Sequence, residues 1–103
     1  MSLKLCFESE IHRVSKLPVS FNALIQYSQS LFSSKLPNFW ALEYIDEEND
    51  KIMIANEQDY ASVLEDVSRG RTVKIFVTEK NQNSSFVIEN PKHSEQVPPS
   101  NVL

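Results

Sequence analysis

The sequence predicts an α+β domain in which a mixed sheet packs against two helices in the order ββαββαβ. Three observations predict it. Short apolar runs of period two recur along the chain, two apolar stripes at helical spacing separate them, and the residues between fit the turns this order needs. With 103 residues and a 41% hydrophobic content, the chain is one domain's worth and can bury a single modest core.

Leu3, Leu5 and Phe7 alternate with Lys4, Cys6 and Glu8, as on a half-buried strand. Glu8-Ser9-Glu10 breaks the run and Ile11 to Val14 resumes it, giving an N-terminal hairpin that Pro18 closes. Alternation through that three-residue turn puts Lys4 and Arg13 on opposite faces of the hairpin. Ser20 is the N-cap of the first helix, whose stripe is Phe21, Leu24, Ile25, Ser28, Leu31 and Phe32. Ser33-Ser34 and Pro37 end it.

Trp40, Leu42 and Tyr44 share one face of a third strand and read as core. Asp46 to Asp50 is a charged turn, with Asn49 best suited to a left-handed backbone. Ile52 and Ile54 mark a short fourth strand. Asn56 caps the second helix, Asp59 follows three residues on in a capping-box-like arrangement, and Tyr60, Val63, Leu64 and Val67 form its stripe. Gly70, the single glycine, stands where a left-handed helix terminus is expected. Val73, Ile75 and Val77 make the fifth strand. This order is that of the ubiquitin-like β-grasp, expected over residues 1–79. From Lys80 the composition turns to Asn, Gln, Ser and Pro, with Phe86-Val87-Ile88 as its one apolar cluster. Residues 80–103 are therefore expected to be a flexible tail, the mark of a domain cut from a longer protein.

Composition narrows the function. A net charge of −4 argues against nucleic acid as a partner, and no apolar run approaches a membrane span. Lys4 interrupts any signal-peptide core, and one cysteine excludes an internal disulfide, so a reducing, cytoplasmic setting is expected. Cys6, His12 and His93 are too few for a thiolate zinc site, and no metal or cofactor is expected. Nor is catalysis. Cys6 and His12 could be cross-strand neighbours, but they lack an orienting third group, and there is no phosphate loop or nucleophile elbow.

The informative segment is acidic. Asp46, Glu48 and Asp50 are spaced by two, which projects three carboxylates to one side of an extended stretch, with Glu47 among them. Glu57 and Asp59 follow at the start of a helix, where its dipole favours negative charge. Crowded carboxylates repel one another, and a cationic partner relieves the repulsion. Alone, such a run reads as a solvated turn. Asp46, Glu48, Asp50 and Glu57 also fall at positions one, three, five and twelve of an EF-hand loop. A calcium loop at 46–57 is disfavoured, because Lys51 replaces the required glycine and the flanks read as strands.

The run Tyr44-Ile45-Asp46-Glu47-Glu48-Asn49-Asp50, continued by Glu57-Gln58-Asp59-Tyr60, resembles the acidic motif of Phox-and-Bem (PB-one) domains, those of autophagy receptors and kinase adaptors most. The resemblance spans about residues 3 to 79. It implies that Asp46, Glu48 and Asp50 are the principal partner-binding acids, supported by Glu47, Glu57 and Asp59. It implies an opposite, basic face of Lys4, His12 and Arg13. The implied function is a protein-protein interaction module whose acidic hairpin pairs with the basic strand face of another PB-one domain. Heterodimers or head-to-tail homo-oligomers would follow, as scaffolds in signalling or selective autophagy. The alternatives are other β-grasp roles. A small-GTPase-binding domain should be basic at its contact, and a conjugated modifier should end in glycine, where this chain ends Ser-Asn-Val-Leu.

Overall fold

A computed structural model describes residues 2–89 of the chain. Strand β1 (Ser2–Phe7) turns back into β2 (Glu10–Val14), and helix α1 (Phe21–Phe32) follows. A 3-10 turn over Ser33–Lys35 leads to β3 (Phe39–Ile45), β4 (Lys51–Ile54), helix α2 (Glu57–Ser68) and β5 (Thr72–Glu79). A two-residue strand β6 (Ile88–Glu89) ends the described chain. The sheet order is β2-β1-β5-β3-β4, with β1 and β5 parallel at the centre and the other pairs antiparallel. Two helices on such a mixed sheet make the ubiquitin-like β-grasp.

The helices begin where their caps dictate. Ser20 Oγ accepts the Ala23 N–H at 3.0 Å, and Asn56 Oδ1 accepts the Asp59 N–H at 2.8 Å. Ser28, the polar break in the apolar stripe of α1, is fully buried and donates its hydroxyl to the Leu24 carbonyl at 2.9 Å. The core lies between helices and sheet, built on Leu3, Leu5, Leu24, Phe32, Trp40, Leu42, Ile54, Tyr60 and Ile75. Tyr60 is completely buried, and its hydroxyl donates to the Pro18 carbonyl at 2.8 Å, pinning the segment that enters α1.

Two expectations are corrected. The first hairpin turns on Glu8-Ser9 alone, with Glu8 in the left-handed region at φ 55°, so Glu10 already belongs to β2. One turn residue fewer reverses the parity, and Lys4 lies directly opposite Arg13 on the same face. The second correction concerns the expected tail at 80–103. Its first part is folded: Lys80 donates its N–H to the Phe39 carbonyl at 2.9 Å, Phe86 packs on Phe21 with centroids 6.2 Å apart, and Ile88 is buried. β6 pairs Ile88 with Trp40 and Glu89 with Phe39. β4 covers β3 only from Leu42 onward, so β6 fills the edge that β4 leaves open. The remainder, 90–103, lies outside the described residues.

Candidate interaction surfaces

Asp46 builds the β3–β4 turn. Its Oδ1 accepts the N–H groups of Glu48 at 3.0 Å and Asp50 at 2.9 Å, while its own N–H and carbonyl pair with Asp50 and Asn49. Asn49 takes the left-handed conformation the turn requires, at φ 68°. The result gathers one carboxylate oxygen each from Asp46, Glu48 and Asp50 within 4.8 Å of one another. Glu48 and Asp50 are exposed, and their carboxylates meet no hydrogen-bond or ionic partner among the described residues.

The other acids have local duties. Glu47 pairs with Arg71 at 3.3 Å. Both oxygens of Glu57 accept the Phe21 N–H, at 3.1 and 3.0 Å, so this side chain caps α1 from the first turn of α2. Asp59 Oδ2 accepts the Ala55 N–H at 2.9 Å, closing the turn into α2.

Cations gather on the face of the sheet away from the helices. Arg13 stands opposite Lys4, and Lys4 opposite Lys74 of β5, so the three share one row across β2, β1 and β5. His12 is not among them, which corrects its place in the expected basic face. It pairs with Leu5 on the helix side, its ring set edge-on to Phe32 with centroids 5.6 Å apart. There its Nε2 lies 3.0 Å from Glu10, which also holds Lys35. The hydrogen bond to His12, then that to Lys35, keeps the Glu10 carboxyl below its ordinary value. Cys6 lies opposite Ile11, with its side chain on the other face from His12, so no cysteine-histidine pair forms. Burial pushes its thiol up, and the charges of Lys74 and Lys4 oppose that rise.

The PB1 domain family profile matches residues 1–80, the whole of the sheet and helices up to the end of β5. The chain belongs to the PB1 domain family. No curated protein matches it. PB1 domains are protein-interaction domains that bind other PB1 domains, so this chain is a protein-protein interaction module. No helix among its described residues is long and apolar enough to cross a membrane.

Within this PB1 domain, two neighbours of the acidic turn escaped the sequence reading. Burial raises the Tyr44 hydroxyl above its ordinary value, and the charges of Asp66, Asp46 and Asp59 raise it further, so Asp66 adds to the negative field at this end of the sheet. The signal was present: Asp66 follows Asp59 by two helical turns and shares its face of α2. Arg71 is the second, a counter-charge brought to Glu47 by the α2–β5 connection. The calcium reading gains little. The one oxygen gathered from each of three carboxylates falls short of the six to eight that calcium takes, and Glu57, the fourth in the EF-hand spacing, is turned toward the Phe21 N–H.

Proposed function

We propose that this PB1 domain binds the basic strand face of another PB1 domain through its β3–β4 turn, with Glu48 and Asp50 as the contacting acids beside Asp46. The observation that carries this reading is the pair of exposed carboxylates, unpartnered among the described residues, held against a third by backbone hydrogen bonds. The turn is pre-ordered, so little ordering entropy opposes binding. Glu47 and Asp66 add long-range field, whereas Glu57 and Asp59 serve mainly to fix the helices. Lys4 and Arg13 form the complementary face, which permits head-to-tail homo-oligomers as well as heterodimers. As a scaffold of this kind the domain suits cytoplasmic signalling or selective autophagy, following its resemblance to kinase-adaptor and autophagy-receptor domains.

Sedimentation velocity across a wide concentration range, at low and high salt, tests the reading. Salt-sensitive growth lost in both Lys4→Ala and the Glu48→Ala/Asp50→Ala double variant is expected. A monomer at all concentrations that also ignores an added basic-faced PB1 domain returns the acidic run to a solvated turn.

A further inference from the structure

Past β5 the chain folds back onto the domain and lays a short strap along an edge of β3 that β4 does not reach. Lys80 anchors the return, with its N–H on the Phe39 carbonyl and its Nζ 3.0 Å from Glu43. Asn81 then makes a turn: its side-chain oxygen accepts the Asn83 N–H at 3.1 Å, and its carbonyl accepts the Ser84 N–H at 3.1 Å. Beyond the turn, Phe86 packs against Phe21 of α1, Ile88 enters the core, and β6 lies antiparallel to β3 at Phe39 and Trp40. Sheet edges take extended peptides in the same way, by backbone pairing with alternate side chains, here Phe86 and Ile88, seated in apolar places. A two-residue ladder holds the strap, whereas β3 pairs with β5 from Trp40 to Tyr44, so the strap opens at lower cost than the sheet beneath it. It also lies past residue 80, where the match to the PB1 domain ends. Lifting it bares a strand edge beside apolar surface, a template for another extended chain. Trp40 marks the fit as incomplete. It stands directly across from Ile88 and is fully buried, and its indole N–H has no acceptor among the described residues. The aliphatic Ile88 side chain cannot accept that proton, so the resident strand leaves a costly buried donor unmet.

We propose that the β3 edge at Phe39 and Trp40 is a strand-acceptor site, that the chain's own residues 86–89 are its built-in occupant, and that its external ligand is an extended peptide bearing an aromatic and an aliphatic residue two positions apart. The resident strap defines that chemistry, because Phe86 and Ile88 fill the two apolar places while the backbone between them runs along the edge. The ligand displaces the strap from the edge, and the strap in turn sets the threshold for binding, since only chains with the strap lifted can accept the ligand. The site lies at the opposite end of β3 from the acidic turn and works by backbone pairing and apolar burial, not by charge. It is therefore independent of the pairing between PB1 domains proposed above.

The probe is a synthetic peptide of residues 83–89, titrated into the whole chain as wild type, Ile88→Ala and Phe86→Ala. High salt screens the charge-led contact, so the two readings fail independently. Trp40, the one tryptophan of the chain, reports binding by its fluorescence. Both variants are expected to bind the peptide at least about tenfold more tightly than wild type, whose own strap occupies the site. The urea midpoint of each variant should rise as peptide is added. A variant that is unfolded alone is scored by whether the peptide restores its circular dichroism. Neither binding nor recovery in both variants overturns the proposal. So does equal binding by wild type, or equal binding of a control peptide carrying Phe86→Ser and Ile88→Ser. A wild-type dimer at high salt that Ile88→Ala abolishes would show the edge filled by the strap of a second copy, and would overturn the assignment to a peptide ligand.

Discussion

Tyr60 and Glu43 show how single buried groups tie this domain's stability to pH. Burial, with a smaller contribution from the Glu57 charge, pushes the Tyr60 hydroxyl up to about 12 from an ordinary 10. A group whose folded value lies above its unfolded one stabilises the fold below the unfolded value. That stability is lost as pH rises from about 10 toward 12, a loss of about 3 kcal/mol at most. Tyr60→Phe should therefore cost about 1 kcal/mol at pH 7, from the lost bond to Pro18, yet flatten the alkaline limb of a urea-denaturation series. Equal steepness above pH 10 in both proteins would show that Tyr60 does not govern the limb. Tyr44, also raised, would keep a smaller remnant. Glu43 acts at the acid end. Burial alone would raise its carboxyl, but hydrogen bonds from Lys80 and Thr78 together hold it below its ordinary 4.5. Its stabilisation is present above 4.5 and disappears as pH falls through the lower folded value. Glu43→Gln should shift the acid-unfolding midpoint, monitored by circular dichroism, to a less pH-dependent profile.

At the scale of elements, the caps decide where helices start, and one of them crosses between elements. Glu57 sits in the first turn of α2 but satisfies the first N–H of α1 with both oxygens. Glu57→Ala should lower stability by about 0.5–2 kcal/mol in urea melts and leave partner affinity nearly unchanged. The reverse pattern would restore Glu57 to the binding acids. Elements whose signal is local were legible in the sequence: Ser20 and Asn56 as caps, Asn49 and Gly70 as left-handed residues, and the alternation of Trp40, Leu42 and Tyr44. What escaped depends on distant partners. The residue type of Glu57 suggests a free acid, and only the approach of α1 to α2 reveals its duty. β6 was missed for the same reason, since two residues carry no periodicity and its stability comes from the uncovered edge of β3. Ile88→Ala should cost about 2–5 kcal/mol, because it empties space beside Trp40 in the core.

For the whole molecule, the decisive property is that the two charged surfaces occur on one chain but in different places. The acids were legible as a set because a turn keeps neighbours in sequence close in space. The cations were not, because Lys4 and Lys74 meet only through the parallel pairing of strands from the two ends of the fold, and a one-residue error in the first turn moves Arg13 to the other face. If association is head-to-tail, each surface can be disabled separately and the consequences differ from those of losing a symmetric interface. Lys4→Ala retains only its acidic turn, and the Glu48→Ala/Asp50→Ala variant retains only its cationic row. Each alone should sediment as a monomer. Mixed in equal amounts, the intact acids of the first meet the intact cations of the second, while the outward surfaces are both disabled. Growth stops after one contact, so the mixture should give a discrete one-to-one dimer at low salt that dissociates at high salt. A symmetric interface would leave the mixture as weak as its components, and nonspecific charge attraction would give a broad, concentration-dependent distribution in place of a single dimer boundary.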